Sequence, residues 1–258
     1  MKRILLCITF DGSGYRGWQA QADADGRTVQ QRLCKAAAKV FCRQVDISGC
    51  GRTDSGVHAN RFYCHMDIDP AFPTERIANA LNTGLYRAND RIAVIEAKEA
   101  ESGFHSRYDI KSKEYMYLIQ NDKYMSPLYY NRAYFYHNSL NLAQMRSAAQ
   151  LLTGEYNFSS FMADRSKIPK EEAVRRIDYI KIDGPDMTSG GGPNLIRIYI
   201  SANGFLYKMA RIITGTLIEV NEGKIQISDL PDIIAKQDRI YAGFTAPAHG
   251  LYLNNVEY

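Results

Sequence analysis

The stretch GCGRTDSGVHA, residues 49–59, decides how the chain is organised. It contains three glycines, two hydroxyl side chains, a carboxylate and an arginine, and it has almost no apolar surface to bury. A strand-like run at residues 45–48 precedes it, and apolar side chains alternate at residues 62–68 after it. This arrangement predicts a loop between two strands of a hairpin, with glycine where the backbone turns sharply or lets another molecule approach.

Asp54 is the candidate catalytic residue of this loop. Asp-Ser-Gly alone is ordinary turn chemistry, but a simple turn does not need so many functional groups on both sides. The loop has no second carboxylate, so a glycosidase-type pair is not evident, and Ser55 and His58 are too close in sequence to suggest a nucleophile and its base. A single carboxylate beside Arg52 suits chemistry at a sugar carbon, with aspartate as nucleophile or base.

Away from this loop, the apolar pattern alternates between strand and helix spacing. Strands are predicted at residues 4–10, 45–48, 62–68, 92–98, 115–120, 177–182 and 195–201. Helices are predicted at residues 29–40, 74–84, 142–152 and 209–220, with a short one after residue 229. Thr28 and Gln31 have the spacing of a capping box, and Thr74 is expected to cap the second helix.

The hairpin-like strand pairs predict the α+β class rather than a β-α-β winding. We expect two similar halves, residues 1–105 and 106–258, each a mostly antiparallel sheet with helices on one face. The active site would then lie in a cleft between the halves.

Composition narrows the function classes without choosing one. The chain has 258 residues and a net charge of +4, which permits a polyanionic partner without requiring one. Its five cysteines have no C-x-x-C spacing, which predicts reduced thiols, a cytoplasmic location and no metal site. The apolar run at residues 4–10 is too short for a membrane span, and none is expected elsewhere.

The loop after the first strand is a candidate contact for a phosphate-rich ligand. Gly12, Gly14 and Gly17 spell G-x-G-x-x-G, but a dinucleotide fingerprint needs a helix that opens on those glycines, and here a polar stretch intervenes. Arg16 and Trp18 instead offer charge and a stacking surface.

Two further clusters lie in the second half of the sequence. Lys113 and Tyr115 lie on a predicted strand, where core packing and stacking on a flipped base fit the Tyr115 ring equally well. Lys208 and Arg211 interrupt an apolar helix at positions i and i+3, on one face with Gly215. An arginine there is costly unless it is paired, so we expect a buried carboxylate partner, with a solvated helix face as the alternative.

In chain order, these segments resemble the TruA family of tRNA pseudouridine synthases. Seven motifs carry the resemblance and span residues 4–253: FDGSGYRGWQ (10–19), GRTDSGVHA (51–59), FHSRY (104–108), KEYMY (113–117), GEYNFSSF (154–161), FLYKMAR (205–211) and GLYL (250–253). One such motif is only suggestive, whereas seven in the expected order are specific. Ser55 stands where the family usually has alanine, and we expect activity to tolerate it.

The resemblance implies an activity and roles for particular residues. It implies isomerisation of uridine to pseudouridine in the anticodon stem-loop of tRNA, at the expected tRNA positions 38–40, without a cofactor and by a homodimer whose two subunits share one tRNA. Asp54 matches the essential aspartate, Arg52 a base-flipping arginine, Tyr115 the ring against the target base, and Arg211 the partner of the carboxylate. Residues expected to contact the substrate are Tyr115, Arg16, Trp18, Arg107, Lys113, Lys208 and Leu251.

Two other functions remain open at this point. One is a tRNA-binding or chaperone module without catalysis, and the complete set of Asp54, Arg52, Tyr115 and Arg211 argues against it, because binding alone does not need the carboxylate. The other is a pseudouridine synthase that acts on a different RNA. The sequence discriminates poorly there, because RNA recognition of this kind relies on shape and phosphates.

Overall fold

The computed structural model describes residues 1–21, 26–164, 166, 168–186 and 192–258. The chain divides into two compact units: Met1–Lys111 together with Tyr252–Tyr258, and Ser112–Leu251. The seven C-terminal residues therefore belong with the first unit, whereas the sequence-based division at residue 105 assigned them to the second half. Local sequence patterns do not predict that the C-terminal residues pack with the first unit.

The elements follow one another in the order β1 (Lys2–Phe10), α1 (Val29–Phe41), β2 (Ile47–Gly49), β3 (His58–Ile68), α2 (Thr74–Arg87), β4 (Ile92–Ala100), β5 (Ser112–Gln120), β6 (Tyr134–Phe135), α3 (Leu142–Leu151), β7 (Gly154–Asn157), β8 (Val174–Asp186), β9 (Leu195–Ala202), α4 (Met209–Asn221), α5 (Leu230–Lys236) and β10 (Leu251–Glu257). Short 3-10 turns connect several of them. This is the predicted α+β class with mostly antiparallel strands, and the prediction is confirmed.

In the first unit, β1 lies between β3 and β4 and is antiparallel to both. β2 pairs antiparallel with the far end of β3, so the two strands form the predicted hairpin, and β10 runs parallel to the start of β3. The side chains of Ile4, Leu6 and Ile8 on β1 are fully buried. Helix α2 packs on β4 and against α1, where the helices come close enough for Gly84 to face Ala36.

In the second unit, the strand order is β5-β9-β8-β7, all antiparallel, with β6 parallel beside the end of β5. Helices α3, α4 and α5 cover this sheet, and all of α4 except Arg211, Glu219 and Asn221 is buried. Burial of this extent agrees with the nearly continuous apolar run in the sequence of α4.

Local capping signals give mixed results. The Thr28–Gln31 capping box is present and begins α1, as predicted. Thr74 is not a cap: Pro73 holds that position, and the Thr74 hydroxyl donates to Glu99 at 2.6 Å. Helix α2 also continues past Gly84 to Arg87, and Gly84 lies within the helix, where a Cβ would be in ordinary contact with Ala36 at 3.7 Å. Strand β7 begins at Gly154, where the sequence predicted only a helix stop.

In the part of the chain that the structure describes, no helix combines the length and the apolar character needed to cross a bilayer.

Candidate active site

The Asp54 loop, defined as residues 50–57, joins β2 to β3 and is fixed at both ends. At its start, the Cys50 amide donates to the Tyr63 carbonyl at 2.8 Å. At its end, the Val57 amide donates to the Asp54 carbonyl at 3.2 Å, which closes a turn around Ser55 and Gly56. Gly56 has a φ of +80°, a conformation that side chains other than glycine adopt at a cost. The Asp54 side chain is half-buried on this closed turn.

A second loop, residues 11–18, lies directly against the Asp54 loop. A Cβ atom on Gly12 would lie 2.0 Å from the Val57 carbonyl oxygen, and one on Gly17 would lie 2.3 Å from the Thr53 carbonyl oxygen. Gly17 also has a φ of +81°. The two backbones therefore touch on both sides of Asp54 with no room for side chains between them. This glycine seam, Gly12 and Gly17 against residues 53–57, holds the backbone of the turn that carries Asp54.

Polar contacts reinforce the seam. The Gly12 amide donates to His58 Nδ1 at 3.0 Å, and Asp11 Oδ1 lies 3.3 Å from the same nitrogen. His58 is buried, and its ring stacks on Tyr252 with ring centroids 4.6 Å apart. The sequence did not predict that His58 supports the seam. Its position immediately after an otherwise polar loop could have indicated such a contact.

Trp18 is a packing residue, which corrects its predicted role in substrate stacking. Its ring is 1% exposed, stacks on Phe62 at a centroid distance of 4.1 Å, and occupies the space above Gly49 where a Cβ would lie 2.5 Å from it. A ring covered in this way has no free face for a base. Trp18 instead locks the glycine seam onto the β2–β3 hairpin.

The predicted cations of the first unit lie at its surface. Arg16 and Arg52 are exposed on the two loops that meet at the seam, and the Ser55 hydroxyl links these loops by donating to the Tyr15 carbonyl at 3.2 Å. Arg107 is exposed and follows Ser106, whose buried hydroxyl donates to the Ser48 carbonyl of β2 at 2.8 Å. The structure thus brings the Arg107 turn to the base of the hairpin that carries Asp54.

In the second unit, Tyr115 and Lys113 lie half-buried on β5. The Tyr115 ring meets Phe205 edge to face at a centroid distance of 4.8 Å, which fixes its orientation. Tyr117 on the same strand is fully buried and donates to the Pro247 carbonyl at 2.8 Å. Burial raises the pKa of Tyr117 well above its usual range, and the nearby positive charge of Arg211 opposes that shift.

Arg211 lies on the first turn of α4 and is joined to the segment before β10. Its Nε donates to the Ala246 carbonyl at 2.7 Å, and the Ala246 amide donates back to the Arg211 carbonyl at 3.1 Å. Lys208 differs from the prediction: it is the N-cap residue, with a φ of +60°, and so precedes the regular turns of the helix. Its ammonium group lies 5.0 Å from the centre of the Tyr207 ring.

Leu251 is also corrected from a substrate contact to a packing residue, because its side chain is 6% exposed. The adjacent Gly250 lies against the Tyr117 ring, where a Cβ would come within 2.6 Å. Among the described residues, no group of three or more histidine, cysteine or acidic side chains is placed to hold a metal ion.

Comparison with known proteins decides the family. The model of the family described as tRNA pseudouridine synthase matches residues 6–109 and 148–258. The proteins named tRNA pseudouridine synthase A of Ruminiclostridium cellulolyticum and of a Thermoanaerobacter strain are 40% and 39% identical to this chain, with all of both chains covered. That of Bacillus subtilis is 39% identical, with 99% of each chain covered.

The chain belongs to the TruA family of tRNA pseudouridine synthases. The family model includes Asp54, Arg52 and Arg211, whereas Lys113 and Tyr115 lie in the unmatched stretch between its two segments. The TruA relatives cover that stretch as well, because their similarity runs along the whole chain.

Proposed function

We propose that this enzyme isomerises uridine to pseudouridine in tRNA and that Asp54 is its catalytic carboxylate. Membership of the TruA family supports the activity. The observation that carries the role of Asp54 is the glycine seam: two backbones in contact hold the turn on which the half-buried Asp54 lies. Precise positioning of a reacting group accounts for a large part of enzymatic rate enhancement, and such a seam supplies it.

The reaction rearranges bonds without a net change in composition. The bond between C1′ of the ribose and N1 of uracil breaks, the base rotates, and a bond forms between C1′ and C5. C5 loses its proton, and N1 gains one. Asp54 acts by attacking the sugar, attacking the base, or removing a proton from the sugar; all three need an ionised carboxylate beside the target nucleoside. None of these steps requires a cofactor.

The remaining site residues are assigned by their chemistry and placement. Arg52, exposed beside Asp54, assists the turning of the target nucleotide out of its stack. Tyr115, oriented by Phe205, packs against the uracil ring. Arg211, tied to Ala246, stabilises the negative charge of the catalytic carboxylate. Arg16, Arg107, Lys113 and Lys208 contribute phosphate contacts.

We further propose that the substrate site is the anticodon stem-loop at tRNA positions 38–40 and that the enzyme acts in the cytoplasm. The test is a map of pseudouridine in an unmodified tRNA transcript incubated with wild-type protein or with Asp54→Ala. Wild-type protein should modify uridines at these positions, and the variant should bind tRNA but form no pseudouridine. Modification by the variant, or none by the wild type, would refute the proposal.

A homodimer is also proposed, with one tRNA contacting both subunits. The aromatic segment, residues 123–130, supports it: Tyr124, Met125, Leu128 and Tyr130 are 47–76% exposed. Both ends of the buried Gln120 amide hold this segment, since its Nε2 donates to the Tyr124 carbonyl and its Oε1 accepts from the Ser126 amide, each at 3.0 Å.

Exposed tyrosine, methionine and leucine, with few charges, match the composition of interface cores. Two aromatic rings alone bury about 300–500 Å² when covered, a large part of the roughly 800 Å² that each partner needs. Sedimentation equilibrium should give a dimer for the wild type and a weaker dimer for the double variant Tyr124→Ser/Leu128→Ser. A monomeric wild type would exclude this assembly.

A further inference from the structure

A cavity of about 390 Å³ lies in the first unit, apart from the residues assigned above. Its walls come from the end of β1, the end of α2 and the start of β4, and they include Asp11, Tyr86, Asp90 and Arg91. A volume of this size is typical of sites that hold a small molecule or one unit of a polymer. The cavity is a shallow depression that is largely open to solvent, so a polymer chain can pass across it.

Tyr86 is the unusual member of this wall. Its side chain is 87% exposed on the last turn of α2, and among the described residues it has no ring contact or hydrogen bond. A rigid helix thus presents an aromatic face to solvent. Such a face suits stacking on an unpaired base, which is tolerant of base identity because every base has a π-face.

Arg91 provides the cation. Its side chain is 58% exposed, and only one of its terminal nitrogens is engaged in the contacts seen here, with the Ser13 hydroxyl at 2.9 Å and Asp11 at 3.4 Å. The guanidinium group is thereby oriented while part of its donor fork still faces solvent. A planar fork of this kind binds phosphate oxygens well.

The two carboxylates of the cavity do not oppose an anion strongly. Asp90 is 8% exposed and accepts from Arg32 Nε at 2.6 Å, so its charge is paired within the protein. Asp11 accepts from the Ser13 amide and contacts Arg91. Arg91, whose side chain is 58% exposed, is therefore the most accessible charged group of the cavity, whereas its partner Asp11 is 19% exposed.

The cavity is connected to the Asp54 loop. Asp11 forms part of its wall and directly precedes Gly12, which touches Val57 in the glycine seam. The Tyr15 hydroxyl accepts from the Arg91 amide at 2.8 Å, and the Tyr15 carbonyl accepts from Ser55. The loop of residues 11–18 therefore links the cavity to the turn that carries Asp54.

We propose that Tyr86 and Arg91 form a subsite for one nucleotide of the tRNA strand near the target uridine, with the base on Tyr86 and the phosphate on Arg91. The inference rests on the proposed function, since tRNA is its ligand. A protein partner fits less well, because one exposed ring supplies too little apolar area for a stable interface.

The test measures dissociation constants for an unmodified tRNA transcript. Tyr86→Ala should weaken binding about 5- to 150-fold, whereas Tyr86→Phe, which keeps the ring, should bind as the wild type does. Tyr241→Ala, at a tyrosine of the second unit that is 44% exposed and whose ring packs against Lys236 at 4.1 Å, is the control and should have no effect. Arg91→Gln should reduce the slope of log K against log salt by about 0.7–0.9, the loss of one phosphate contact.

Equal affinities for Tyr86→Ala, Tyr86→Phe and wild type would overturn the subsite, as would an unchanged salt slope for Arg91→Gln. A change in the oligomeric state of Tyr86→Ala without a change in tRNA affinity would overturn it too. Pseudouridine formation by the wild type is measured in parallel. Its absence would refute the proposed function, whereas normal formation with an indifferent Tyr86 would refute only the subsite.

Discussion

The Asp54 loop and helix α4 both use glycine to bring two backbones into contact, but they do so on different scaffolds. At the Asp54 loop, Gly12 and Gly17 join two irregular segments, and Gly17 also needs a positive φ. At α4, a Cβ on Gly215 would lie 1.8 Å from the Phe244 carbonyl oxygen, although the helix around it is regular.

This difference separates two functions of glycine. In α4, the contact is part of a buried core and secures the fold of the second unit, including the segment that holds Arg211 through Ala246. In the Asp54 loop, the contact is also buried, but it joins two irregular loops and holds the turn that carries a single candidate catalytic carboxylate. Breaking the first should cost mainly stability, and breaking the second should cost mainly activity.

The largest stability effect is expected for Gly215→Ala. The new methyl group collides with a backbone oxygen that cannot move without displacing the segment of Phe244, so unfolding should become easier by about 3 kcal/mol. The control is Gly84→Ala, also within a helix but with 3.7 Å of space to Ala36, which should gain about 0.5–1 kcal/mol. Urea denaturation measures both, and equal effects would contradict the packing argument.

Gly17→Ala should reduce activity more than stability, the reverse of the effect expected for Gly215→Ala. The substitution places a methyl group 2.3 Å from the Thr53 oxygen and strains a positive φ, so the loop must shift. We expect a loss of about 2 kcal/mol in stability and a fall of about 100-fold in the rate at saturating tRNA. Gly14→Ala, in the same loop with open space around it, should retain full activity. A fully active Gly17→Ala would show that the seam does not position the carboxylate.

A smaller, pH-dependent effect is expected in the core of the first unit. His65 is buried and accepts the Ser106 amide at Nδ1, and burial together with Arg3 and His105 lowers its pKa to about 4. Between the unfolded pKa of about 6.5 and this value, the unfolded chain binds a proton that the folded chain does not. The contribution of neutral His65 to the free energy of unfolding is therefore complete above pH 6.5. It decreases as the pH falls, and the loss is about 2 kcal/mol at pH 5.

Urea denaturation at pH 7.5 and pH 5 measures that loss. The variant His65→Gln removes the titrating group and should lose about 2 kcal/mol less than the wild type over the same interval. Identical losses in the two proteins would exclude His65 as the source.

The sequence predicted the parts of the molecule that depend on local order. Alternating apolar residues located the long strands, and Thr28 with Gln31 began α1 at the right residue. The Asp54 loop was identified as a candidate site because its polar side chains are not needed for core packing. Contacts between distant segments were not predictable. A tryptophan in a polar loop is typical of a ligand-binding site, and only the fold shows that the Trp18 ring packs against Phe62 and Gly49.

The same limit applies to the second unit and to the C-terminus. Gly215 looked like a neutral member of a helical face, because its close contact is with Phe244, far along the chain. Lys208 fitted a helical spacing with Arg211, but its left-handed backbone makes it the N-cap residue, so the helix begins only at Met209. Tyr252–Tyr258 joins the first unit by pairing of β10 with β3, a long-range choice that no local signal encodes.

The most direct test of the account is the single-turnover rate of pseudouridine formation by Asp54→Asn compared with Asp46→Asn. Both variants lose one carboxylate from the β2–β3 hairpin region, but Asp46 is exposed before β2 and away from the glycine seam. We predict no measurable product from Asp54→Asn and a wild-type rate from Asp46→Asn. A measurable rate from Asp54→Asn, in a protein that binds tRNA normally, would contradict the assignment of Asp54 as the catalytic carboxylate.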